Sequence, residues 1–150
     1  LLAAPDSLIV RTSWMYGQGG DHFPGKVLKW AAGGGPLRIV DDQVGSPTYA
    51  EDLAAGLREL TRRNTAGMLH LGGNGCASRY EWARETLALA DLQVEVLPAK
   101  SADFPLPAQR PADSCLDCSK AAALGVQLPP WQDGLARYIR STQGADRIAR

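Results

Sequence analysis

Short apolar runs alternate along the chain with longer segments in which apolar residues recur every three or four positions. The short runs are bounded by polar or glycine-rich residues, as buried β-strands are, and they occupy 7–12, 37–40, 68–71 and 94–97. The longer segments have helical periodicity and occupy 23–32, about 49–63, 78–90, 119–125 and 131–139. Strands that alternate with helices predict an α/β fold.

Two segments have the capping-box spacing, in which a hydroxyl residue precedes a glutamate by three positions. The pairs are Thr48 with Glu51 and Ser78 with Glu81. Each pair predicts the start of a helix, because the two side chains can satisfy backbone N–H groups that the first turn leaves free. Ser119 is predicted to cap the short helix that follows it.

Three polar segments have neither the apolar runs of strands nor the periodicity of helices. The stretch 41–47 is predicted to be a loop, and 100–113, rich in proline, alanine and aspartate, is predicted to be a long ordered loop. The residues from 141 onward are predicted to fray. We therefore divide the chain into one domain over 1–140 and a polar tail over 141–150.

The composition indicates a globular protein without a strongly charged surface. Of the 150 residues 45% are hydrophobic, and 16 acidic residues balance 16 basic ones. A neutral balance predicts neither nucleic acid nor an anionic membrane as a partner. No apolar run approaches the length of a membrane span. Three cysteines at irregular spacing do not predict a disulfide framework, so we expect a cytoplasmic protein.

The sequence does not contain the machinery of a self-contained hydride-transfer enzyme. A glycine-rich turn for a dinucleotide has the pattern Gly-x-Gly-x-x-Gly, and the three candidate pairs are followed, where the third glycine belongs, by His22, Arg38 and Ser78. A catalytic tyrosine of a short-chain dehydrogenase is followed four positions later by lysine. The four tyrosines are instead followed there by Gly20, Leu53, Arg84 and Thr142.

A few polar and aromatic residues could carry chemistry by themselves. Trp14 follows the first strand and is either a rim aromatic or a flat wall against a ligand ring. Arg110 lies near the end of the proline-rich loop and is either a solvated arginine or a guanidinium aimed at a diphosphate. Asp41 and Asp42 read as a solvated turn rather than as a metal or acid site. The pair in Cys115-Leu116-Asp117-Cys118 is interpreted as incidental rather than as a redox or zinc motif.

Several segments together resemble one enzyme family. Four segments are similar to segments of the dTDP-4-dehydrorhamnose reductases: the run IVRTSWMYG at 9–17, the run LRIVDDQVGSPT at 37–48, the segment 110–117 and the run LPPW at 128–131. These are extended short-chain dehydrogenases with an N-terminal Rossmann domain. The resemblance extends to about residue 139 and implies that this chain is the C-terminal part of such an enzyme. It also implies that 1–17 is the last part of the Rossmann sheet and the active-site loop.

The resemblance implies a function and roles for individual residues. The family reduces dTDP-4-dehydrorhamnose to dTDP-L-rhamnose, a polysaccharide precursor, with NADPH, and NADH is the alternative. Thr12 and Ser13 would lie near the nicotinamide, and Trp14 beside the sugar. Arg110 would face the substrate diphosphate. A role for Mg²⁺ and a homodimer stay open.

The chain also departs from the family pattern. His22 and Phe23 stand where many relatives have Asn and Phe, so a polar sugar contact from His22 is an open point. The glycine-rich turn and the Tyr/Lys pair are expected upstream of Leu1, on a missing N-terminal half. Without that half the first strand would be left at an open, partly apolar edge. The alternatives are a nucleotide-sugar epimerase or dehydratase, or a regulatory homologue such as the β subunit of methionine adenosyltransferase.

Overall fold

The strands and helices alternate as the α/β prediction requires. The structure, a computed structural model, describes residues 6–105, 107–108 and 110–148, with only the backbone for 143–148. The strands are β1 (Leu8–Arg11), β2 (Met15–Tyr16), β3 (Leu37–Val40), β4 (Val44–Gly45), β5 (Thr48–Tyr49), β6 (Gly67–His70), β7 (Ala77–Ser78), β8 (Val96–Ala99) and β9 (Asp113–Ser114). The helices are α1 (Phe23–Ala32), α2 (Ala50–Arg62), α3 (Arg79–Leu89), α4 (Ser119–Ala123) and α5 (Trp131–Ile148), with a 3₁₀ turn at Ser101–Asp103.

The described strands pair into small sheets, and most of the pairings are parallel. β1 pairs with β6, β2 with β5 and β3 with β8, each in parallel. β4 lies between β7, which is antiparallel to it, and β9, which is parallel. Parallel pairing requires crossover connections, and the intervening helices α1, α2 and α3 supply them.

The apolar faces form three packed clusters. One surrounds α5 and holds Tyr16, Tyr49, Ala77, Trp82, Trp131, Leu135, Tyr138 and Ile139. A second, between α2, α4 and β6, holds Leu53, Leu60, Leu69, Leu71, Ala121, Val126 and Leu128. A third joins α1 and α3 to β3 through Val27, Leu37, Ile39, Ala83 and Leu87. Leu53 and Leu60 of α2 therefore face the core.

Only one of the two predicted capping boxes is present. The Ser78 hydroxyl accepts a hydrogen bond from the Glu81 N–H at 3.1 Å, and the Glu81 carboxylate accepts one from the Ser78 N–H at 2.7 Å. The prediction for Thr48 is wrong, because helix α2 begins with Tyr49 as its N-cap and without a side-chain cap. The Thr48 hydroxyl is buried and bonds the Ser46 carbonyl and the Gly73 N–H instead.

Several predicted boundaries are also corrected by long-range pairing. β4 lies inside the predicted loop 41–47 because it pairs with β7 and β9. The strand predicted to begin at 94 begins at Val96 instead, because β8 pairs with β3 in a register that places Val96 opposite Leu37. Ser119 is the first residue of α4 and not its cap, and the Asp117 carboxylate accepts its N–H. Helix α5 continues to Ile148, past the predicted end of the last helix at 139, and 149–150 lie outside the described residues.

The cysteines differ from the sequence prediction as well. Cys76 and Cys115 are joined in a disulfide with their Cα atoms 5.9 Å apart, although their sequence separation is 39 residues. The sequence did not indicate this pair, because spacing along the chain does not show which loops meet. Cys118 is free, and burial raises the pKa of its thiol. The two cysteines of the Cys-x-x-Cys run are thus not partners.

Candidate functional site

A cavity of about 850 Å³ opens between α1, α3 and the carboxyl ends of β1 and β3. It has the size of a small-molecule site, and its walls combine rings with cations. The aromatic lining residues are Trp14, Phe23, Trp30, Trp82 and Phe104, and the cationic ones are Lys26, Arg38, Arg79 and Arg110. Rings beside guanidinium groups are suited to a ligand that has both flat apolar and anionic parts.

Trp14 forms one wall of this cavity in a constrained conformation. Its backbone has φ 44°, a left-handed value that a non-glycine residue rarely adopts. Its ring stacks on Trp82 at 5.5 Å between centroids with an interplanar angle of 11°. The Trp14 carbonyl accepts the Thr48 N–H at 3.2 Å, and the ring packs directly on Gly45. The loop after β1 is therefore held so that this indole faces the cavity.

Arg79 is a lining residue that sequence reasoning missed. Its guanidinium carbon lies 3.7 Å from the ring centroid of Trp14, 4.8 Å from that of Phe23 and 5.4 Å from that of Trp82. Burial, and secondarily the charge of Arg110, lower the pKa of Arg79 to about 10, so the group is still a cation at neutral pH. In the sequence Arg79 is merely the residue after a helix cap, which gives no sign of the rings it meets.

The other two cationic lining residues, Lys26 and Arg38, each have an acidic partner. Lys26 pairs with Asp21 at 3.0 Å, and Arg38 pairs with Asp103 at 2.8 Å. Within the described ranges neither Arg79 nor Arg110 forms an ion pair. Two guanidinium groups therefore remain available to a ligand at this cavity.

The structure divides the sequence-predicted site residues into two groups. Trp14, Phe23 and Arg110 line the cavity together. His22 is not a lining residue and caps α1, where its Nδ1 accepts the Gly25 N–H at 3.3 Å. Its ring meets Tyr138 edge-on at 5.1 Å, and burial lowers its pKa.

Thr12 and Ser13 lie just before the cavity wall and do not line it. Thr12 is exposed, whereas Ser13 is half-buried and its hydroxyl donates to the Ser114 carbonyl at 3.2 Å. This bond ties the end of β1 to β9.

Asp41 and Asp42 are both committed to the 3₁₀ turn that follows β8. Asp41 pairs with Lys100 at 2.8 Å. Asp42 accepts the N–H and the hydroxyl of Ser101, and these bonds lower the pKa of Asp42.

The described residues provide neither a metal cluster nor a membrane span. No group of three or more His, Cys, Asp and Glu side chains is gathered there as a metal ion would require. None of the helices in these ranges is long and apolar enough to cross a bilayer.

The fold is that of the C-terminal portion of a Rossmann-like, extended short-chain dehydrogenase. The chain belongs to the RmlD substrate binding domain family, whose model matches residues 1–143. It is 38% identical over 155 residues to a dTDP-4-dehydrorhamnose reductase of Mycobacterium tuberculosis, a match that covers 100% of this chain and 51% of the relative. The chain thus spans about half the length of the curated relatives it matches.

Solved structures agree with this family assignment. A dTDP-4-dehydrorhamnose reductase of Clostridium acetobutylicum is 33% identical with a TM-score of 0.86, over 91% of this chain and 49% of that one. The Bacillus anthracis enzyme, solved in complex with NADP, is 33% identical with a TM-score of 0.84, over 90% and 48%. A UDP-glucose 4-epimerase of Thermus thermophilus, at 20% identity and a TM-score of 0.73, shares the fold alone.

Proposed function

We propose that this chain is the C-terminal, nucleotide-sugar-binding part of an NADPH-dependent dTDP-4-dehydrorhamnose reductase. The observation that supports this most strongly is that Trp14, Phe23 and Arg110 line one cavity. These residues come from the loop after β1, the start of α1 and the segment before β9. A ring wall beside an unpaired guanidinium suits a sugar linked to a diphosphate.

In the proposed reaction this chain binds and orients the substrate. Trp14 provides a flat face for the sugar, and Phe23 extends that apolar wall. Arg110 balances the diphosphate charge through its planar fork of donors. Our proposal assigns His22 an indirect role, because its ring is engaged in starting the helix that carries Phe23.

This chain would form only the edge of the cofactor site. Thr12 and Ser13 at the end of β1 are proposed to border the nicotinamide, and the exposed Thr12 hydroxyl is available for a hydrogen bond. NADPH would supply the hydride for the keto carbon of the sugar. The sequence contains neither a Gly-x-Gly-x-x-Gly turn nor a Tyr/Lys pair, so the proposal assigns the main cofactor contacts and the proton donor to an N-terminal half of the kind that its relatives contain.

Replacement of Trp14 tests the proposal in the complete reductase, with this chain preceded by an N-terminal half of the kind its relatives contain. We expect Trp14→Ala to lower kcat/KM for dTDP-4-dehydrorhamnose by about tenfold to a hundredfold, because a misplaced sugar reaches the hydride in poor geometry. Trp14→Phe retains a flat ring and should keep most of the activity. NADPH oxidation, followed by absorbance, provides the measurement. An unchanged kcat/KM in Trp14→Ala would contradict the assigned role.

A further inference from the structure

Arg79 lies in an environment that is costly for a cation. Its guanidinium group is half-buried among the rings of Trp14, Phe23 and Trp82, and the charge of Arg110 is close enough to lower its pKa further. Partial desolvation and a like charge both disfavour the protonated form. Stacking on aromatic faces offsets part of this cost. A compensating anion would offset the remainder.

The acidic side chains around the cavity do not provide that anion. Asp21 pairs with Lys26, and Asp103 pairs with Arg38. Glu81, on the same helix as Arg79, accepts from the N–H and hydroxyl of the cap residue and so completes the capping box. Among the described residues each of these carboxylates is therefore engaged elsewhere.

The contacts of Arg79 within the described residues leave its donors free. An arginine has five N–H donors in the plane of the guanidinium and none on its faces. The Arg79 Cζ lies over the Trp14 ring, 3.7 Å from its centroid, and this contact uses no acceptor atom. The described residues accept no side-chain hydrogen bond or ion pair from Arg79, so its N–H groups remain for a ligand that has several acceptor oxygens.

We propose that Arg79 is a second diphosphate-binding arginine, which acts with Arg110 to hold the anionic bridge of the nucleotide sugar. This inference rests on the proposed function and adds to it a residue from α3. The diphosphate of a nucleotide sugar carries two negative charges, which match the two guanidinium groups at this cavity. Because Arg79 also stacks on Trp14, diphosphate binding would be coupled to the position of the sugar wall.

Ligand titration in the complete reductase tests this inference. Binding of thymidine diphosphate and thymidine monophosphate is measured by calorimetry for the wild type, Arg79→Gln, Arg79→Lys, Arg110→Gln and the matched control Arg84→Gln. Arg84 lies on the same helix, is exposed, and contacts Tyr80 rather than the cavity. We expect Arg79→Gln to weaken diphosphate binding by about tenfold to a hundredfold, the range for a hydrogen bond to a charged group.

A diphosphate contact and a purely structural role predict different results. If Arg79 binds the diphosphate, Arg79→Gln should reduce the advantage of thymidine diphosphate over the monophosphate, and Arg79→Lys should restore part of it. Loss of the contact with Trp14 alone would weaken the binding of both nucleotides equally. Arg79→Lys would then not selectively restore the binding of thymidine diphosphate. Equal weakening, or no weakening, would overturn the inference. Near-UV circular dichroism shows whether each variant retains its folded aromatic core.

The same measurements separate this inference from the proposed function. A wild-type reductase that neither binds thymidine diphosphate nor reduces the keto sugar would refute both. Only the role of Arg79 would be refuted if the wild type binds thymidine diphosphate and reduces the keto sugar, while Arg79→Gln binds thymidine diphosphate as tightly as Arg84→Gln does. The double variant Arg79→Gln/Arg110→Gln should bind thymidine diphosphate no more tightly than the single variant that binds it less tightly. Its affinity should also depend less on salt concentration than that of the wild type.

Discussion

At the residue scale, the site combines side chains that differ in how visible they are in the sequence. Trp14 could be singled out because it directly follows a strand, and ligands of α/β proteins lie at the carboxyl ends of strands. Arg79 could not, because its position after Ser78 indicates only a helix start. Its contacts with Trp14 and Phe23 join residues more than 50 positions apart. Such contacts leave no local pattern.

His22 illustrates how a predicted ligand residue can have a local role. The sequence analysis left open a polar sugar contact, whereas the structure uses Nδ1 as the acceptor that caps α1. A protonated imidazole could not accept that bond, since both ring nitrogens would then be donors. Burial against Tyr138 also favours the neutral form.

The stability of the protein should therefore depend on the charge of His22. Because its folded pKa is lowered below the ordinary value of 6.5, the unfolded state takes up the proton first as the pH falls. We expect the free energy of unfolding to fall as the pH drops through 6.5, the ordinary value, towards the lowered folded pKa, and to level off below that folded pKa. His22→Asn keeps a capping acceptor that does not titrate, so its stability should change less across this window. Urea unfolding at several pH values provides the measurement, and identical profiles would contradict the prediction.

At the scale of the elements, a strand of only two residues supports a site that the helices α1 and α3 line. β4 has two residues, Val44 and Gly45, yet it joins β7 to β9 and supports the Trp14 ring. The sequence analysis predicted this segment to be a loop, because two residues show no periodicity. The helices, by contrast, have ten or more residues in four cases, and the apolar stripes of α1, α2 and α3 predicted those helices well.

Replacement of Gly45 by alanine should disturb this support. A Cβ there would lie 2.7 Å from the Ser114 Oγ and 2.8 Å from the Trp14 Cδ2, closer than real contacts allow. We expect Gly45→Ala to lower the free energy of unfolding by about 1–3 kcal/mol, and to lower kcat/KM because Trp14 must shift. The matched control is Gly33→Ala after α1, where φ is −75° and the nearest atom is 3.3 Å away. Urea unfolding and turnover assays of both variants test this, and equal effects would argue against it.

At the scale of the whole molecule, the first pair of parallel strands lies at an open edge. The described part of β1 pairs with β6 alone, and Met68 on β6 is 43% exposed. A parallel sheet is normally covered and extended on both sides, so this edge is suited to further strands. The relatives are about twice as long as the chain, which agrees with this view.

The 150-residue chain should bind NADPH only when an N-terminal half is joined to it. A dinucleotide needs a glycine-rich turn for its pyrophosphate, and the sequence has none. We expect calorimetry to detect no binding of NADPH to the chain alone at about micromolar concentrations, and to detect binding once a reductase N-terminal half precedes it. Micromolar affinity of the isolated chain would refute this prediction.

The sequence by itself determined the α/β fold, the bounds of α1 and β3, the Ser78 capping box and the family, because these depend on local periodicity, local hydrogen bonds and contiguous motifs. Only the tertiary structure decided that Thr48 is a buried bridge between loops and that Cys76 meets Cys115. It also decided that Arg79 stacks on Trp14 beside Arg110. These contacts join distant segments, and their energies depend on shared burial rather than on neighbours along the chain. The cavity is therefore a product of packing, although single residues of its wall could be read in advance.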